Sequence, residues 1–438
     1  MTARDTRPQD ATTPYAGPGH VQVVVLMGGL ATRLGDAART VPKALIDVEG
    51  RPFFAIVLDA LKRRGLRRFL LLTGHLGDQV RAAFVDGAGL GVRIDYRDDG
   101  PEPLGTGGAL RAALPLLDER FFLLYGDSYM DIDYERLYRE HLHHEREGRA
   151  ALMSLYRNDD ALERSNARFE GGRLVRYDKR ADPAGMRHVD FGVSVVRRDL
   201  VARIPANTPA DLADLMRDAT AEGLVAGCEL RDRFWEIGRP GPLEAFRAYV
   251  RDRAARPRKA VFLDRDGTIN EQVRGGAEGV DSPFRPEDVR LIPGAADALK
   301  RLKSLGYLLI VVTNQPGATK GKATVPDLWR VDDRVRDLLA AEGVAIDDSL
   351  VCPHHPAGVP DRCPGAGLIG PCACRKPAPG LIGTAAAKHG IDLAASFLVG
   401  DSDADIGAAE AAGVRAVRVG PNGGTLSEFA DRLLQGEA

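Results

Sequence analysis

The chain has 438 residues, roughly two to three times the length of an ordinary domain, and 44% of them are hydrophobic, as in a globular protein with a full core. Lys and Arg total 60 against 62 for Asp and Glu, and the net charge of −2 excludes the basic surface that nucleic acids or acidic membranes require. No apolar stretch approaches the ~20 residues that cross a bilayer. These figures predict two domains that bind neither nucleic acid nor a membrane.

Both the start of the chain and its cysteines indicate a cytoplasmic protein. Residues 1–19 mix Thr, Pro, Asp and Arg without an apolar segment, which predicts a disordered tail and not a secretory signal. Four of the five cysteines lie in one short stretch, whereas a disulfide framework would be spread through a small secreted chain. The clustering favours a metal site in a reducing compartment.

Strands and helices alternate along the first half of the chain. The predicted elements, in chain order, are strand Val21–Leu26, helix Phe53–Arg64, strand Phe69–Thr73, helix Gly107–Leu117 and strand Phe121–Tyr125. Alternation of this kind is typical of parallel or mostly parallel sheets that are covered by helices on both faces.

A second series of strands follows the charged stretch Arg251–Lys259. Its predicted strands are Ala260–Leu263, Leu308–Val312, Ser396–Val399 and Ala416–Val419. We therefore predict an α/β protein with two three-layer α/β/α, Rossmann-like domains at residues 20–252 and 258–436, after the tail at 1–19. Ligands of such sheets bind beyond the carboxyl ends of the strands, so we expect the functional residues there.

A glycine pair and two cations follow the first strand. Gly28 and Gly29 let backbone N–H groups approach an anionic ligand closely, since no Cβ intervenes. Arg33 can bind phosphate oxygens through its planar fork, and Lys43 adds a compact positive charge. The glycine pair alone fits a plain tight turn equally well, but its combination with both cations favours a phosphate-binding loop.

The string Gly-Gly-x-x-Thr-Arg-Leu at 28–34, followed by Pro42-Lys43, resembles the sugar-1-phosphate nucleotidyltransferase family, and the resemblance extends over residues 20–250. It implies a series of substrate-binding residues: Gly28, Gly29, Gly105, Thr106, Gly107, Asp178, Lys179 and Gly192. In the implied reaction, the phosphate of a sugar 1-phosphate attacks the α-phosphorus of a nucleoside triphosphate, and pyrophosphate leaves.

The same resemblance implies Arg33 and Lys43 as catalytic cations, and Asp127 and Glu236 as ligands of Mg²⁺, a hard cation that prefers oxygen. The sequence departs from the family pattern at Glu236, which is usually Asp, and at Ala31, which is usually Gly. A domain that binds nucleotide sugars without turnover therefore stays open as an alternative.

Polar groups also follow the strands of the second series, where any one of them alone would fit a solvated loop. In chain order they are Asp264, Asp266, Thr313, Asn314, Arg375, Lys376 and Asp401. Four strand-end loops at one edge of a sheet can assemble a nucleophile, phosphate donors, a cation and a metal ligand.

This set is similar to the motifs of the haloacid dehalogenase (HAD) superfamily of phosphatases, in the family's order, over residues 259–435. The resemblance implies that Asp264 forms an aspartyl-phosphate, and that Asp266 protonates the leaving alkoxide and then activates water. Mg²⁺ is implied on Asp264, the backbone carbonyl of Asp266, and Asp401, with Lys376 as the catalytic cation. The remaining implied residues are the substrate contacts Thr313, Asn314 and Arg375, and Asp405 in support of the metal ligands.

Cys352-Pro353-His354 and Cys372-Ala373-Cys374 flank a loop rich in Pro and Gly. Two pairs of N and S donors with this spacing predict a closed, structural Zn²⁺ site on Cys352, His354, Cys372 and Cys374. We interpret the neighbouring His355 and Cys363 as non-ligands. Zinc would stiffen the loop that leads into Arg375-Lys376.

Within the HAD superfamily, the string at 264–270 and the zinc-loop motifs look like the D-glycero-D-manno-heptose 1,7-bisphosphate 7-phosphatase branch, with histidinol-phosphate phosphatase as the nearby alternative. Removal of the 7-phosphate yields a heptose 1-phosphate, which is the type of substrate that a sugar nucleotidyltransferase activates. We therefore expect a bifunctional enzyme of nucleotide-activated heptose synthesis. Its partners are sugar phosphates and an NTP, with GTP and GDP-heptose implied by the resemblance and by the pairing. The anomer and the oligomeric state are not fixed, and a homo-oligomer stays open.

Overall fold

The computed structural model describes residues 18–28, 40–100, 103–159, 161, 163–273, 279–358, 366–421 and 423–437. Its contacts divide the chain into two compact units. The first comprises Gly17–Arg258 with Thr384–Asp392, and the second comprises Lys259–Gly383 with Leu393–Ala438. Over the described ranges, no helix combines the length and the apolar character that a membrane crossing requires.

The strands of the first unit are β1 Gln22–Leu26, β2 Asp47–Val48, β3 Arg51–Pro52, β4 Arg68–Thr73, β5 Arg93–Asp98, β6 Arg120–Tyr125, β7 Ser128–Tyr129, β8 Ala151–Arg157, β9 Ala167–Glu170, β10 Arg173–Tyr177, β11 His188–Arg197, β12 Val225–Leu230 and β13 Trp235–Glu236. Its helices are α1 Phe53–Arg63, α2 Gly77–Phe84, α3 Gly105–Ala112, α4 Tyr134–Glu145, α5 Arg198–Val201, α6 Leu212–Ala221 and α7 Pro240–Ala255. The three predicted strands of this unit are confirmed to within one residue at their ends.

The predicted helix Gly107–Leu117 is wrong at its end. Helix α3 stops at Ala112, and a separate 3-10 turn covers Leu114–Leu116. The cause is Pro115, which lacks the backbone N–H that an α-helix needs at this position.

The large sheet of the first unit is mixed, so the prediction of a mostly parallel sheet is wrong for this half. Among the described residues it has nine strands, in the order β10-β9-β11-β6-β1-β4-β5, with β8 paired to β11 and β12. Strands β8 to β11 succeed one another without a described helix between them, and β11 runs antiparallel to both β6 and β8. The β9–β10 hairpin turns at Gly171 and Gly172, whose φ angles of 56° and 77° suit a two-residue turn of the kind that joins antiparallel strands.

Helices cover both faces of this sheet, as the predicted three-layer architecture requires. Val23 and Val25 of β1 pack into a core with α1, whereas Val24 and Leu26 pack into a second core with α3 and α6. The alternation follows from the two-residue period of a strand, which sends successive side chains to opposite faces.

The second unit contains strands β14 Ala260–Leu263, β15 Leu308–Asn314, β16 Asp348–Cys352, β17 Phe397–Gly400 and β18 Arg415–Arg418. The helices in this part of the sequence are α8 Ala295–Ser304, α9 Val325–Ala341, α10 Gly380–His389, α11 Asp403–Ala412 and α12 Leu426–Gln435. Over the described residues the sheet has five strands in the order β16-β15-β14-β17-β18, and all its pairings are parallel. All four residues of β14 are buried, as in a strand that is covered on both faces. The prediction of a parallel sheet is confirmed here.

Candidate active sites

Neighbouring parallel strands bring Gly28 and Asp127 to the same edge of the first sheet. Leu26 at the end of β1 lies opposite Tyr125 at the end of β6, and the Gly126 N–H donates to the Leu26 carbonyl oxygen at 2.9 Å. A cavity of about 350 Å³ opens beyond these strand ends. It is lined by Leu26, Met27, Gly28, Lys43, Ala44, Leu72, Asp99, Pro103, Gly105, Thr106, Ala109, Tyr125, Gly126 and Asp127.

Lys43 and Asp127, which line this cavity, lie close to a second carboxylate, that of Glu236. The Lys43 Nζ atom donates to Asp127 Oδ2 at 2.7 Å. Strand β13 pairs with β7, and the Ile237 N–H donates to the Asp127 carbonyl oxygen at 3.0 Å, which places Glu236 beside Asp127. Burial raises the pKa of Glu236, and the carboxylates of Asp127 and Glu163 raise it further. Neighbouring carboxylates of this kind favour a shared cation, and their oxygens fit a hard divalent metal.

Lys179 is paired with Asp190 and not with its sequence neighbour Asp178. The Lys179 Nζ atom lies 3.3 Å from Asp190 Oδ2, which also accepts the Tyr177 hydroxyl at 3.2 Å. Burial opposes the charged form of Lys179, but Asp190 raises its pKa overall. Asp178 accepts the N–H groups of Arg180 and Ala181 in its own turn. Asp190 is not among the predicted site residues, because its contact with Lys179 depends on the fold and leaves no signal in the spacing.

The predicted substrate-binding residues Gly105, Thr106 and Gly107 do not all line the cavity. Gly105 and Thr106 line the cavity. The Gly107 N–H instead donates to the Ala210 carbonyl oxygen at 2.8 Å, so Gly107 packs helix α3 against that loop. Gly192 lies in β11, where its N–H donates to Asp190 Oδ1 at 3.0 Å. Gly29, Ala31 and Arg33 lie outside the described residues.

In the second unit, Lys376 lies between two acidic side chains. Its Nζ atom donates to Asp264 Oδ1 at 2.6 Å and to the Val312 carbonyl oxygen at 2.8 Å, and it lies 2.5 Å from Asp405 Oδ1. All three charged side chains are buried. Burial raises the pKa of Asp264, while Lys376 counteracts the shift. A buried lysine that pairs with a carboxylate at the end of a strand can hold that carboxylate in place as a nucleophile.

Asp401 joins this cluster from the end of β17. Carboxylate oxygens of Asp264, Asp401 and Asp405 lie within 4.8 Å of one another. A Cβ on Gly267 would lie 2.1 Å from Asp401 Oδ2, and its φ of +91° favours glycine, so Asp401 reaches the turn after β14 only because Gly267 has no side chain. Three converging carboxylates fit a hard divalent cation.

The carboxylate of Asp266 is not one of the three that converge, and neighbouring donors hold it. It accepts two hydrogen bonds from Arg265, one from Asn270 Nδ2 at 2.9 Å and one from Gln315 Nε2 at 2.8 Å. Burial would raise the pKa of Asp266, but the Arg265 guanidinium and these hydrogen bonds lower it overall. Sequence reasoning missed Arg265 and Gln315, since each stands beside a more conspicuous motif residue.

The predicted substrate contacts of this unit lie around Lys376. Thr313 is buried, and its hydroxyl accepts Gln315 Nε2 at 3.0 Å. The carboxamide of Asn314 donates to the Lys376 carbonyl oxygen and accepts the Lys376 N–H, both at 3.0 Å, and so fixes the backbone of that residue. The Arg375 Nη1 atom donates to the His354 carbonyl oxygen at 3.1 Å. Arg375 is therefore held by the loop of the predicted zinc ligands.

The four predicted zinc ligands lie together. The ligand atoms of Cys352, His354, Cys372 and Cys374 all lie within 4.8 Å of one another, and none of the three thiols is in a disulfide. The Cys374 Sγ atom lies 3.3 Å from His354 Nδ1 and 3.4 Å from Cys372 Sγ. Three sulfurs and one imidazole nitrogen are the donor set of a closed tetrahedral zinc site. His355 does not belong to this group, and Cys363 lies outside the described residues.

Both units resemble known proteins. A family model described as a MobA-like NTP transferase domain matches residues 23–165, and one described as HAD-hydrolase-like matches residues 373–428. The D-glycero-alpha-D-manno-heptose-1,7-bisphosphate 7-phosphatase of Photorhabdus laumondii subsp. laumondii is 38% identical over 156 residues, which cover 36% of this chain and 79% of that protein. The D-glycero-beta-D-manno-heptose-1,7-bisphosphate 7-phosphatase of Escherichia coli strain K12 is 39% identical over 155 residues, which cover 35% of this chain and 75% of that protein. The crystal structure of HddC from Yersinia pseudotuberculosis complexed with GMP-PN has a TM-score of 0.44 at 20% identity, and the match covers 52% of this chain and 99% of that one.

The folds and the matched families define the class: the chain is an enzyme that joins an NTP-transferase domain to a HAD-type phosphatase domain. Through its second unit it belongs to the family of the D-glycero-D-manno-heptose-1,7-bisphosphate 7-phosphatases, since relatives of that family at 38–39% identity are covered over 75–79% of their length.

Proposed function

We propose that this chain is a bifunctional enzyme of nucleotide-activated heptose synthesis. The second unit hydrolyses the 7-phosphate of D-glycero-D-manno-heptose 1,7-bisphosphate. The first unit transfers GMP from GTP to the resulting heptose 1-phosphate and releases pyrophosphate. The observation that carries the proposal is the buried contact between Lys376 Nζ and Asp264 Oδ1 at 2.6 Å, in a chain that is 38% identical to a phosphatase named for this substrate.

In the phosphatase step, a carboxylate oxygen of Asp264 attacks the phosphorus while the bond between phosphorus and the C7 oxygen breaks. Asp266 gives its proton to the leaving alkoxide. Water then attacks the aspartyl-phosphate, with Asp266 as the base, and phosphate leaves. Lys376 orients Asp264 and offsets its negative charge. A Mg²⁺ ion held by Asp264, Asp401 and the Asp266 carbonyl would neutralise the charge between carboxylate and phosphate.

In the transferase step, an oxygen of the sugar phosphate attacks the α-phosphorus of the nucleotide, and the bond to the β-phosphate breaks. No covalent bond to the protein is needed, so positioning and charge supply the rate. Lys43, Lys179 and Arg33 are the proposed cations, with Asp127 and Glu236 as proposed ligands of a second Mg²⁺. Asp190, whose Oδ2 atom lies 3.3 Å from Lys179 Nζ, would hold this cation in place for the sugar phosphate.

The proposed role of zinc is structural, since its four protein donors leave no open position. The zinc loop continues directly into Arg375 and Lys376 and so fixes both cations at the phosphatase site. Reduced thiols are the form that binds zinc, which supports a cytoplasmic location.

A substrate panel with two readouts tests the proposal. The full chain is incubated with Mg²⁺, each of the four common NTPs, and one sugar or amino-alcohol phosphate at a time. These are heptose 1,7-bisphosphate in either anomer, because relatives named for each anomer match, heptose 1-phosphate and histidinol phosphate. We expect phosphate release from the bisphosphate, and pyrophosphate release from heptose 1-phosphate with GTP. Phosphate release from histidinol phosphate in place of the heptose would overturn the substrate. An absence of pyrophosphate with every NTP would reduce the first unit to a binding domain.

A further inference from the structure

The carboxylate of Asp99 lines the cavity of the first unit, and the proposed mechanism does not use it. Asp99 directly follows strand β5, and its N–H donates to the Thr73 carbonyl oxygen at 2.9 Å. Its Oδ1 atom is buried and has no hydrogen-bond partner within the part of the chain that the structure describes. The neighbouring Asp98 differs, because its Oδ1 atom accepts the Gly100 N–H at 2.9 Å and so closes a local turn.

The backbone of the glycine loop lies against this carboxylate. A Cβ on Gly28 would lie 3.0 Å from Asp99 Oδ2, and one on Gly74 would lie 3.4 Å from it. The cavity is also lined by the apolar side chains of Leu26, Leu72 and Ala109, whereas Lys43 and Asp127 bring its charged groups. An apolar wall with one carboxylate suits the flat face and the polar edge of a base, while the charged groups suit phosphates.

Burial raises the pKa of Asp99 to about 6, and Asp98 contributes in the same direction while Arg97 opposes it. At the pH of a cell the group is nevertheless mostly ionised, and a partly buried carboxylate without a donor is unfavourable. Hydrogen-bond donors on a ligand would remove that cost.

We propose that Asp99 selects guanine by accepting hydrogen bonds from its N1–H and its 2-amino group. This inference rests on the proposed function and names the residue that would select the nucleotide at the same site. Guanine presents two adjacent donors on that edge. Adenine and cytosine each place a ring-nitrogen acceptor beside their amino group, and uracil flanks its single N–H with two carbonyl oxygens, so each turns an acceptor toward a carboxylate.

Nucleotide analogues test these two hydrogen bonds without any change to the protein. Inosine triphosphate lacks the 2-amino group, and xanthosine triphosphate replaces it with a carbonyl oxygen. Binding to the full chain with Mg²⁺ and without sugar phosphate is measured by calorimetry at pH 8, and pyrophosphate release is measured with heptose 1-phosphate. We expect GTP to bind roughly 10- to 100-fold more tightly than inosine triphosphate, because this analogue loses a charge-assisted hydrogen bond. The difference from xanthosine triphosphate should be larger, because it loses the same bond and turns an oxygen toward the carboxylate. Equal binding of GTP and inosine triphosphate would overturn the assignment.

Asp99→Asn tests the residue itself. Its amide can donate to the xanthine oxygen and accept N1–H, so we expect its preference to shift from GTP toward xanthosine triphosphate by roughly 10- to 100-fold. Asp98→Asn is the matched control and should keep the preference for GTP. An unchanged ranking in Asp99→Asn, or selection of UTP by the unmutated protein, would overturn the role of Asp99.

The two readouts separate this inference from the proposed function. Guanine-selective binding without pyrophosphate release would support the role of Asp99 and overturn nucleotidyl transfer. Pyrophosphate release without guanine preference would support nucleotidyl transfer and overturn the role of Asp99. A chain that binds none of the nucleotides would overturn both.

Discussion

The guanidinium of Arg265 donates two hydrogen bonds, of 2.9 and 3.1 Å, to the carboxylate of its sequence neighbour Asp266. The Arg265 side chain is fully buried, and its Nη1 atom lies 3.9 Å from Asp332 Oδ1. This buried network holds Asp266 in its ionised form, whereas the proposed first step requires Asp266 to donate a proton. We therefore expect Arg265 to act as a positioning residue, one that sets the protonation of the proposed acid–base group Asp266.

Replacing Arg265 by Lys removes the planar fork, so the pKa of Asp266 should rise. The protonated fraction of an acid falls as pH rises through its pKa. The alkaline limb of phosphate release that Asp266 controls should therefore move to higher pH, which pH profiles of kcat/KM would measure. Arg330→Lys, at an exposed residue paired with Asp327, should leave the profile unchanged. A shift of that limb to lower pH would contradict this role.

Asp264→Asn should abolish phosphate release, because an amide cannot replace the carboxylate as the nucleophile. The expected decrease in rate is about six orders of magnitude, as when the nucleophile of another covalent catalyst is removed. Pyrophosphate release from heptose 1-phosphate and GTP should persist. Separate assays of phosphate and pyrophosphate on the full chain measure both. Asp297→Asn, in an exposed pair with Lys300, is the control and should retain both activities. Residual hydrolysis near the original rate would exclude Asp264 as the nucleophile.

Lys43→Ala and Asp127→Asn should impair the opposite activity. Each breaks the 2.7 Å ion pair between Lys43 and Asp127, and we expect pyrophosphate release to fall by about 10²- to 10³-fold, as when one electrostatic group is removed from an active site. Phosphate release from the bisphosphate should not change. Lys62→Ala, which removes a partly exposed cation near Asp59, should affect neither. Loss of both activities in either cavity variant would contradict independent sites.

The unmutated chain should contain one zinc ion per molecule by elemental analysis, and Cys374→Ser should lose it. Because Cys374 immediately precedes Arg375 and Lys376, the variant should also unfold at lower temperature and release phosphate more slowly. Cys228→Ser changes a buried thiol of the first unit and should retain zinc. A full zinc content in Cys374→Ser would exclude this residue as a ligand.

Part of both sites follows from local sequence, because Gly28, Asp127, Asp264 and Asp401 each follow a strand of a parallel pair, and neighbouring parallel strands end at the same edge. Asp264 and Asp401 meet for this reason, since β14 pairs with β17. The four zinc donors follow from spacing within one loop, which explains why they lie together in the structure.

Side-chain partners across the fold did not follow from sequence. The pairing of Lys179 with Asp190 depends on the strand order β10-β9-β11, because Lys179 follows β10 and Asp190 lies in β11. The mixed sheet itself arises from the run of strands β8 to β11, between which no helix is described. Asp99 was missed because it belongs to no motif, and only the folded chain places it against Gly28.

His141 in α4 should make the first unit sensitive to acid. Its side chain is fully buried, and neither ring nitrogen has a hydrogen-bond partner among the described residues. Burial, together with Arg120 and Arg197, lowers its pKa to about 3, against an ordinary value of 6.5. The folded state favours the neutral ring. The full free energy of unfolding is therefore present above pH 6.5, and the His141 contribution is lost as pH falls toward 3, by about 1.4 kcal/mol per pH unit. Urea unfolding measures the free energy of unfolding at pH 7.5 and at pH 5. The decrease between the two pH values should be smaller by about 2 kcal/mol in His141→Leu than in the unmutated chain. His75→Leu, at an exposed position, should reproduce the full loss. An equal loss in His141→Leu would show that other groups cause the sensitivity.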